Sequence, residues 1–118
     1  MKENPLLEKS LCFAARIVKL YQYLSNEKKE SVISKQIIRS GTSIGANANE
    51  AAYGVSQADF ISKMQIALKE TCETEYWLEL LQDTDYIAES AGASLRADCH
   101  ELYQMITAIL KTAKVNAD

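Results

Sequence analysis

One proline and four glycines in 118 residues are too few for a fold of short strands and tight turns, and their scarcity points to long helices. The three cysteines, Cys12, Cys72 and Cys99, are far apart and odd in number, and no two form a CxxC pair. A zinc site or dithiol redox motif is therefore not expected, and each cysteine reads as a small apolar residue on a helix. The single histidine, His100, has Ala97 three residues before it. The Glu-x-x-His motif of a di-iron bundle is thus missing, and no metal or other cofactor is expected. No apolar run approaches the roughly 18 residues that span a bilayer, and the opening MKENPLLEKSL lacks the apolar stretch of a secretory signal. The expectations are no membrane partner and a cytoplasmic location. No glycine-rich phosphate loop follows a strand, and no Ser-His-Asp or Cys-His set has supporting context, so catalysis is not expected.

What is present suits one domain over residues 1–118, long enough for a real core. Four helical segments can be read. The first runs from about Pro5 to Leu24, with Asn4 as N-cap and proline in the first turn, where its missing N–H costs nothing. Leu7, Leu11, Ala14, Val18 and Tyr21 form one apolar stripe, and Phe13, Ile17, Leu20 and Leu24 an adjacent one. The second helix is expected from about Lys29 to Tyr53, with Ile33, Ile37, Gly41, Ile44, Ala48 and Ala51 on one face. Gly54 marks its end. Ser56 begins a third helix, with Asp59 placed as in a capping box. Phe60, Met64, Ala67, Thr71, Thr74 and Leu78 point inward on it. Gln82 to Glu89 is a polar connection, and a fourth helix spans about Ser90 to Ala113, with Leu95, Cys99, Leu102, Ile106 and Ile109 inward. Short links between long helices imply an all-α, antiparallel up-down-up-down four-helix bundle.

Arg39 to Leu81 carries the least ordinary pattern. Gly41, Gly45, Ala48 and Ala52 succeed each other at helical spacing, and two mid-helix glycines cost roughly 1 kcal/mol each relative to alanine. That cost makes sense where another helix backbone must come close. Asn47, Glu50, Glu70, Glu73 and Glu75 are candidates for a structural polar layer, bonding Arg39, Lys63 or the hydroxyls of Thr71 and Thr74. Helical phase sets Glu70 and Glu75 on opposite shoulders and Glu73 outside, so the carboxylates are not expected to converge in one catalytic cleft. Such buried pairs fix register more than they add stability. Ile66, Tyr76, Trp77 and Leu80 give the third helix a second apolar face, which points to a subunit interface.

The charge is uneven. Residues 1–40 hold eight Lys/Arg and four Asp/Glu, a balance of +4, whereas 41–118 hold five and twelve, a balance of −7. The basic residues Arg16, Lys19, Lys28, Lys29, Lys35 and Arg39 recur along the first two helices, and spaced cations of this kind can meet phosphates. The whole chain, with a pI near 5.2, is not basic in the manner of a nucleic-acid-binding domain.

RSGTSIGANANEA and SQADFISKMQIALKETCETEYWLELL closely resemble the four helix bundle protein family, which includes proteins encoded within intervening sequences of bacterial 23S rRNA genes. The matching residues include Ser43-Ile44, Asn47 with Glu50, Asp59-Phe60, Ile66-Ala67-Leu68, and Glu73 with Glu75. Asn49 departs from the small apolar residue usual there. The resemblance implies a bacterial protein and an antiparallel bundle. It also implies homo-oligomers, ring-like pentamers among them, and no catalytic role for the matching residues. A related branch, the accessory protein of diversity-generating retroelements, is strongly basic and works with a reverse transcriptase and nucleic acid. The acidic character of helices three and four sets this chain apart from that branch. The leading expectation is a non-enzymatic homo-oligomeric scaffold. The alternative is an accessory protein bound to RNA or to a reverse transcriptase complex.

Overall fold

The computed structural model describes residues 4–117, and no strand occurs among them. Helices α1 (Pro5–Asn26), α2 (Ile33–Ala52), α3 (Gln57–Asp83) and α4 (Glu89–Ala117) pack as an up-down four-helix bundle 48 Å long. Each helix touches its sequence neighbours, and α1 meets α4 to close the square. The α1–α4 contact is the least extensive of the four.

The core follows from side-chain phase. Leu6, Phe13, Ile17, Leu20 and Leu24 line α1, and Ile37, Ile44, Ala48 and Ala51 line α2. From α3 come Met64, Ala67, Leu78 and Leu81, and from α4 come Leu95, Cys99, Leu102, Ile106 and Leu110. The expected inward positions Phe60 and Ile109 are only partly buried. On α4 the buried stripe continues through Leu110 and Ala113 instead. The broad apolar face expected of α1 is half correct: its Phe13–Leu24 stripe is buried, but Leu11 is 72% exposed and Val18 38%. One helix of a square bundle faces the core along a limited arc, and this second stripe lies beyond it.

The caps show why the helices start where they do. The Asn4 side chain accepts from Leu7 N–H at 3.2 Å with Pro5 behind it, and Ser56 Oγ accepts from Asp59 N–H at 3.0 Å. The second helix begins four residues later than its sequence suggests. Lys29 adopts a left-handed φ of 55°, and Glu30 N–H returns 2.9 Å to the Leu24 carbonyl, ending α1 in a Schellman-like turn without glycine. The buried Glu30 carboxylate then accepts N–H bonds from Val32, Ile33 and Ser34 at 3.0, 3.0 and 2.7 Å, while Ser34 Oγ donates to the Glu30 carbonyl. Burial pushes the Glu30 carboxyl up, but the backbone N–H groups and the Ser34 hydroxyl outweigh it and hold it below its ordinary value.

Gly54 follows α2 as expected, but without positive φ. Space decides there: a Cβ on Gly54 would lie 2.5 Å from Asp59 Oδ2. Asp85, at φ 65°, performs at the end of α3 the turn that Lys29 performs after α1.

Candidate functional site

The polar cluster between α2 and α3 is organised by Arg39. Its Nη1 donates to Glu70 Oε2 at 3.1 Å, and its Nη2 donates to Glu73 Oε2. The same Glu73 oxygen accepts from Trp77 Nε1 at 3.0 Å. Residues 70, 73 and 77 share a helical face, so one guanidinium bonds two carboxylates about one turn apart on α3. Glu70 and Glu73 thus share Arg39, the partner expected for a polar layer, while Glu75 lies on the opposite shoulder of α3, toward α4. The Trp77 N–H and then Arg39 hold the Glu73 carboxyl below its usual range, against burial. Arg39 is raised in turn, first by Glu73. Glu70 is only 7% exposed, and Arg39 is its ion-pair partner.

The other candidate polar residues stand apart. Asn47 Nδ2 donates to its own helix at the Ser43 carbonyl, 2.8 Å away, and Glu50 lies 3.9 Å from Lys63. Glu75 lines a groove between α3 and α4 with Cys72, Tyr76, Glu79, His100 and Tyr103. The expected bonds from the Thr71 and Thr74 hydroxyls to the carboxylates do not form. The hydroxyls donate to the Ala67 and Glu70 carbonyls at 2.8 and 2.7 Å, the usual escape for a hydroxyl buried in a helix. Thr74 Oγ1 also lies 2.9 Å from Ser40 Oγ, which joins α2 to α3 through the core.

The close-packing residues divide. A Cβ on Gly41 would sit 2.8 Å from Ile17 Cγ2, and one on Gly45 would sit 3.1 Å from Ser10 Oγ, so both glycines let α1 approach α2. Ala48 is buried in the core, but Ala52, in the last turn, is exposed and takes no part in that approach.

Of the six basic candidates, two are already engaged. Arg16 donates to Asp98 at 2.6 Å and to Ser94, both on α4, and Arg39 is held as described. Lys28 lies 5.9 Å from the centre of the Tyr23 ring. Lys19, Lys29 and Lys35 are exposed and make no ion pair among the described residues. The outer α3 candidates also differ among themselves. Tyr76 is 59% exposed and Ile66 37%, while Trp77 and Leu80 are half-buried and Trp77 packs on the core.

A second apolar surface lies between α1 and α2. Leu7, Leu11 and Ala14 of α1, with Thr42, Gly45 and Ala46 of α2, line an open groove of about 400 Å³. Its signal was present in the sequence as the extra α1 stripe, which had been assigned to the core.

Burial pushes the Cys99 thiol up to about 12, and its Sγ lies 3.4 Å from the Thr71 carbonyl, so it stays protonated. Among the described residues no group of three or more His, Cys, Asp or Glu could hold a metal ion, and no helix is long and apolar enough to cross a membrane.

A family model described as 23S rRNA-intervening sequence protein matches residues 2–108. The crystal structure of a Bacteroides thetaiotaomicron protein of unknown function, from the S23 ribosomal protein family, is 56% identical. It superposes with a TM-score of 0.91, over 94% of this chain and 99% of that one. No curated protein matches.

Proposed function

Because the chain belongs to the 23S rRNA-intervening sequence protein family, we propose that it is a non-enzymatic scaffold that assembles with copies of itself. The observation that carries this reading is the uncovered α1 stripe. Leu11, at 72% exposure, stands over the small residues of α2 in a groove the monomer does not fill. Contiguous apolar surface of this kind marks association sites on soluble proteins. Tyr76 and Ile66 add exposed apolar area on α3.

Sedimentation velocity across a concentration series tests the reading. Leu11→Glu and Tyr76→Glu are the informative variants, since both side chains are outside the core. Trp77→Glu is less so, because it would also strip Glu73 of a hydrogen bond. Expected are an assembled wild type and a loss of mass in at least one variant with helicity retained. A wild type that stays monomeric at every concentration would sink the proposal.

A second reading, an accessory protein for RNA or for a reverse transcriptase, rests on Lys19, Lys28, Lys29 and Lys35, exposed toward one end of the bundle. Arg16 and Arg39 contribute less, being spent on carboxylates. Binding to RNA that weakens steeply with salt would support it, and no binding at low salt would remove it.

A further inference from the structure

The seam between α1 and α4 is the least extensive of the four, and where the end of α1 passes the start of α4 it opens into a groove of about 470 Å³. The floor is apolar. Leu20, Ile87 and Leu95 belong to the core, Tyr23 beside them is 42% exposed, and the small Ala88 and Ala91 keep the opposite wall low. The charges that line it have one sign. Arg16 and Lys19 are among the lining residues, and no Asp or Glu is. Lys28 adds a third cation, 5.9 Å from the centre of the Tyr23 ring. Arg16 is bonded to Asp98 and Ser94, but Lys19 makes no ion pair among the described residues. In a chain of net charge −3 this is a local reversal. Farther along the same seam Glu8, Asp98 and Glu101 outnumber Lys9.

The shape suits a helix. Arg16 to Tyr23 is seven residue steps of α1, about 10 Å, the rise of two turns. That length takes apolar anchors at i, i+3 or i+4, and i+7 of a helix laid along the seam. An extended segment would bring unpaired N–H and C=O groups onto an apolar floor, and no strand edge among the described residues stands ready to receive them. A helix arrives with its backbone already bonded. We propose that this groove docks an acidic amphipathic helix of a different protein, with apolar side chains on Leu20, Tyr23 and Leu95 and carboxylates against Lys19 and Lys28. The site is separate from the Leu11 groove between α1 and α2 and does not depend on self-association.

The probe is a fluorescein-labelled, lactam-stapled peptide of about 15 residues, with leucines at i, i+4 and i+7 and glutamates on either side, read by anisotropy. Its comparisons are the same residues scrambled, the same helix with lysine for every glutamate, and a single-stranded RNA. Wild type should bind the acidic helix about tenfold more tightly than either other peptide. Lys19→Glu sets a carboxylate on one rim, and Ala91→Glu sets one on the opposite wall. Both positions are exposed, and circular dichroism checks folding. Each change should weaken the acidic helix about tenfold. Lys111→Glu, the same charge reversal as Lys19→Glu, lies about 30 Å from Ala91 along α4 and should leave binding unchanged in 0.1 M salt, where the Debye length is about 10 Å. An acidic helix bound no better than the scrambled one would overturn the proposal, as would folded Lys19→Glu and Ala91→Glu chains that bind it like wild type. RNA that binds through Lys19 while the peptide does not would overturn it in favour of the nucleic-acid reading. An Ala91→Glu chain that loses the sedimenting mass of a wild-type assembly would overturn it too, because a second copy then fills the seam. A wild type that is monomeric yet binds the acidic helix would support this assignment while sinking self-association.

Discussion

Removing the Glu30 carboxylate should destabilise the bundle well beyond an ordinary surface substitution. Its two oxygens accept three backbone N–H groups at the start of α2, and one of them, from Ser34, is fully buried. Glu30→Ala leaves that donor without a partner and without access to water, at a cost of about 1–3 kcal/mol. The Val32 and Ile33 donors reach solvent more readily, and losing their cap adds about 1 kcal/mol. The total is about 2–4 kcal/mol, a large part of the 5–15 kcal/mol that holds a typical domain. Glu30→Gln keeps one acceptor but turns an amide N–H₂ toward backbone N–H groups and removes a charge from the helix N-terminus, so it should fall between. Urea unfolding followed by far-UV circular dichroism at neutral pH measures both.

The pH dependence gives an internal check. The folded carboxyl titrates below its ordinary value, so its contribution is present above the unfolded pKa and is lost as pH falls through the folded one. The gap between wild type and Glu30→Gln should therefore close in acid. If both variants stay within about 0.5 kcal/mol of wild type, as unremarkable surface changes do, the capping argument is wrong.

Other consequences are as direct. Gly41→Ala should destabilise by about 1–3 kcal/mol despite better helix propensity, because its Cβ would meet Ile17 at 2.8 Å, and combining it with Ile17→Val should recover part of the loss in a double-mutant cycle. Arg39→Leu should cost about 1–3 kcal/mol, with Glu70→Leu added to it giving back stability, since it is the stranded Glu70 charge that is expensive. Two thiols, Cys12 and Cys72, should react with a disulfide reagent in the native state, and Cys99 only at the rate of opening. Lys29→Gly should raise stability by up to about 1 kcal/mol, as glycine accepts the positive φ at which lysine is strained; a loss would show that the lysine side chain matters more than its backbone.

The bundle was legible because its signals are local. Asn4-Pro5 and Ser56 are caps with few other uses, and the steps of three and four along Phe13–Leu24 or Leu95–Ile106 admit one period only. The start of α2 was not legible. Sequence reading looks for glycine where a helix turns left-handed, and Lys29 and Asp85 make that turn without it. Nor does Glu30 resemble a cap until the turn brings its carboxylate back over α2. The polar layer was partly legible. Its residue types were evident, but which glutamate meets Arg39 depends on where a long side chain ends, and helical phase measures only where it begins. For α1 the error had one source: two adjacent apolar stripes both look like core, and only the number of neighbouring helices decides which one is covered.

The α1–α4 seam sets the order in which the molecule can come apart. Its partners are distant in sequence: Lys9 reaches Glu101 and Arg16 reaches Asp98 across most of the chain, whereas the other contacts join consecutive helices. Solvent-exposed ion pairs are weak and salt-sensitive, and this seam has the least packing beneath them. The chain is thus a sheet of helices folded in sequence order and latched once along its open edge. Amide protons of α1 should exchange through unlatching before those of the α2–α3 pair, and added salt should speed that exchange selectively.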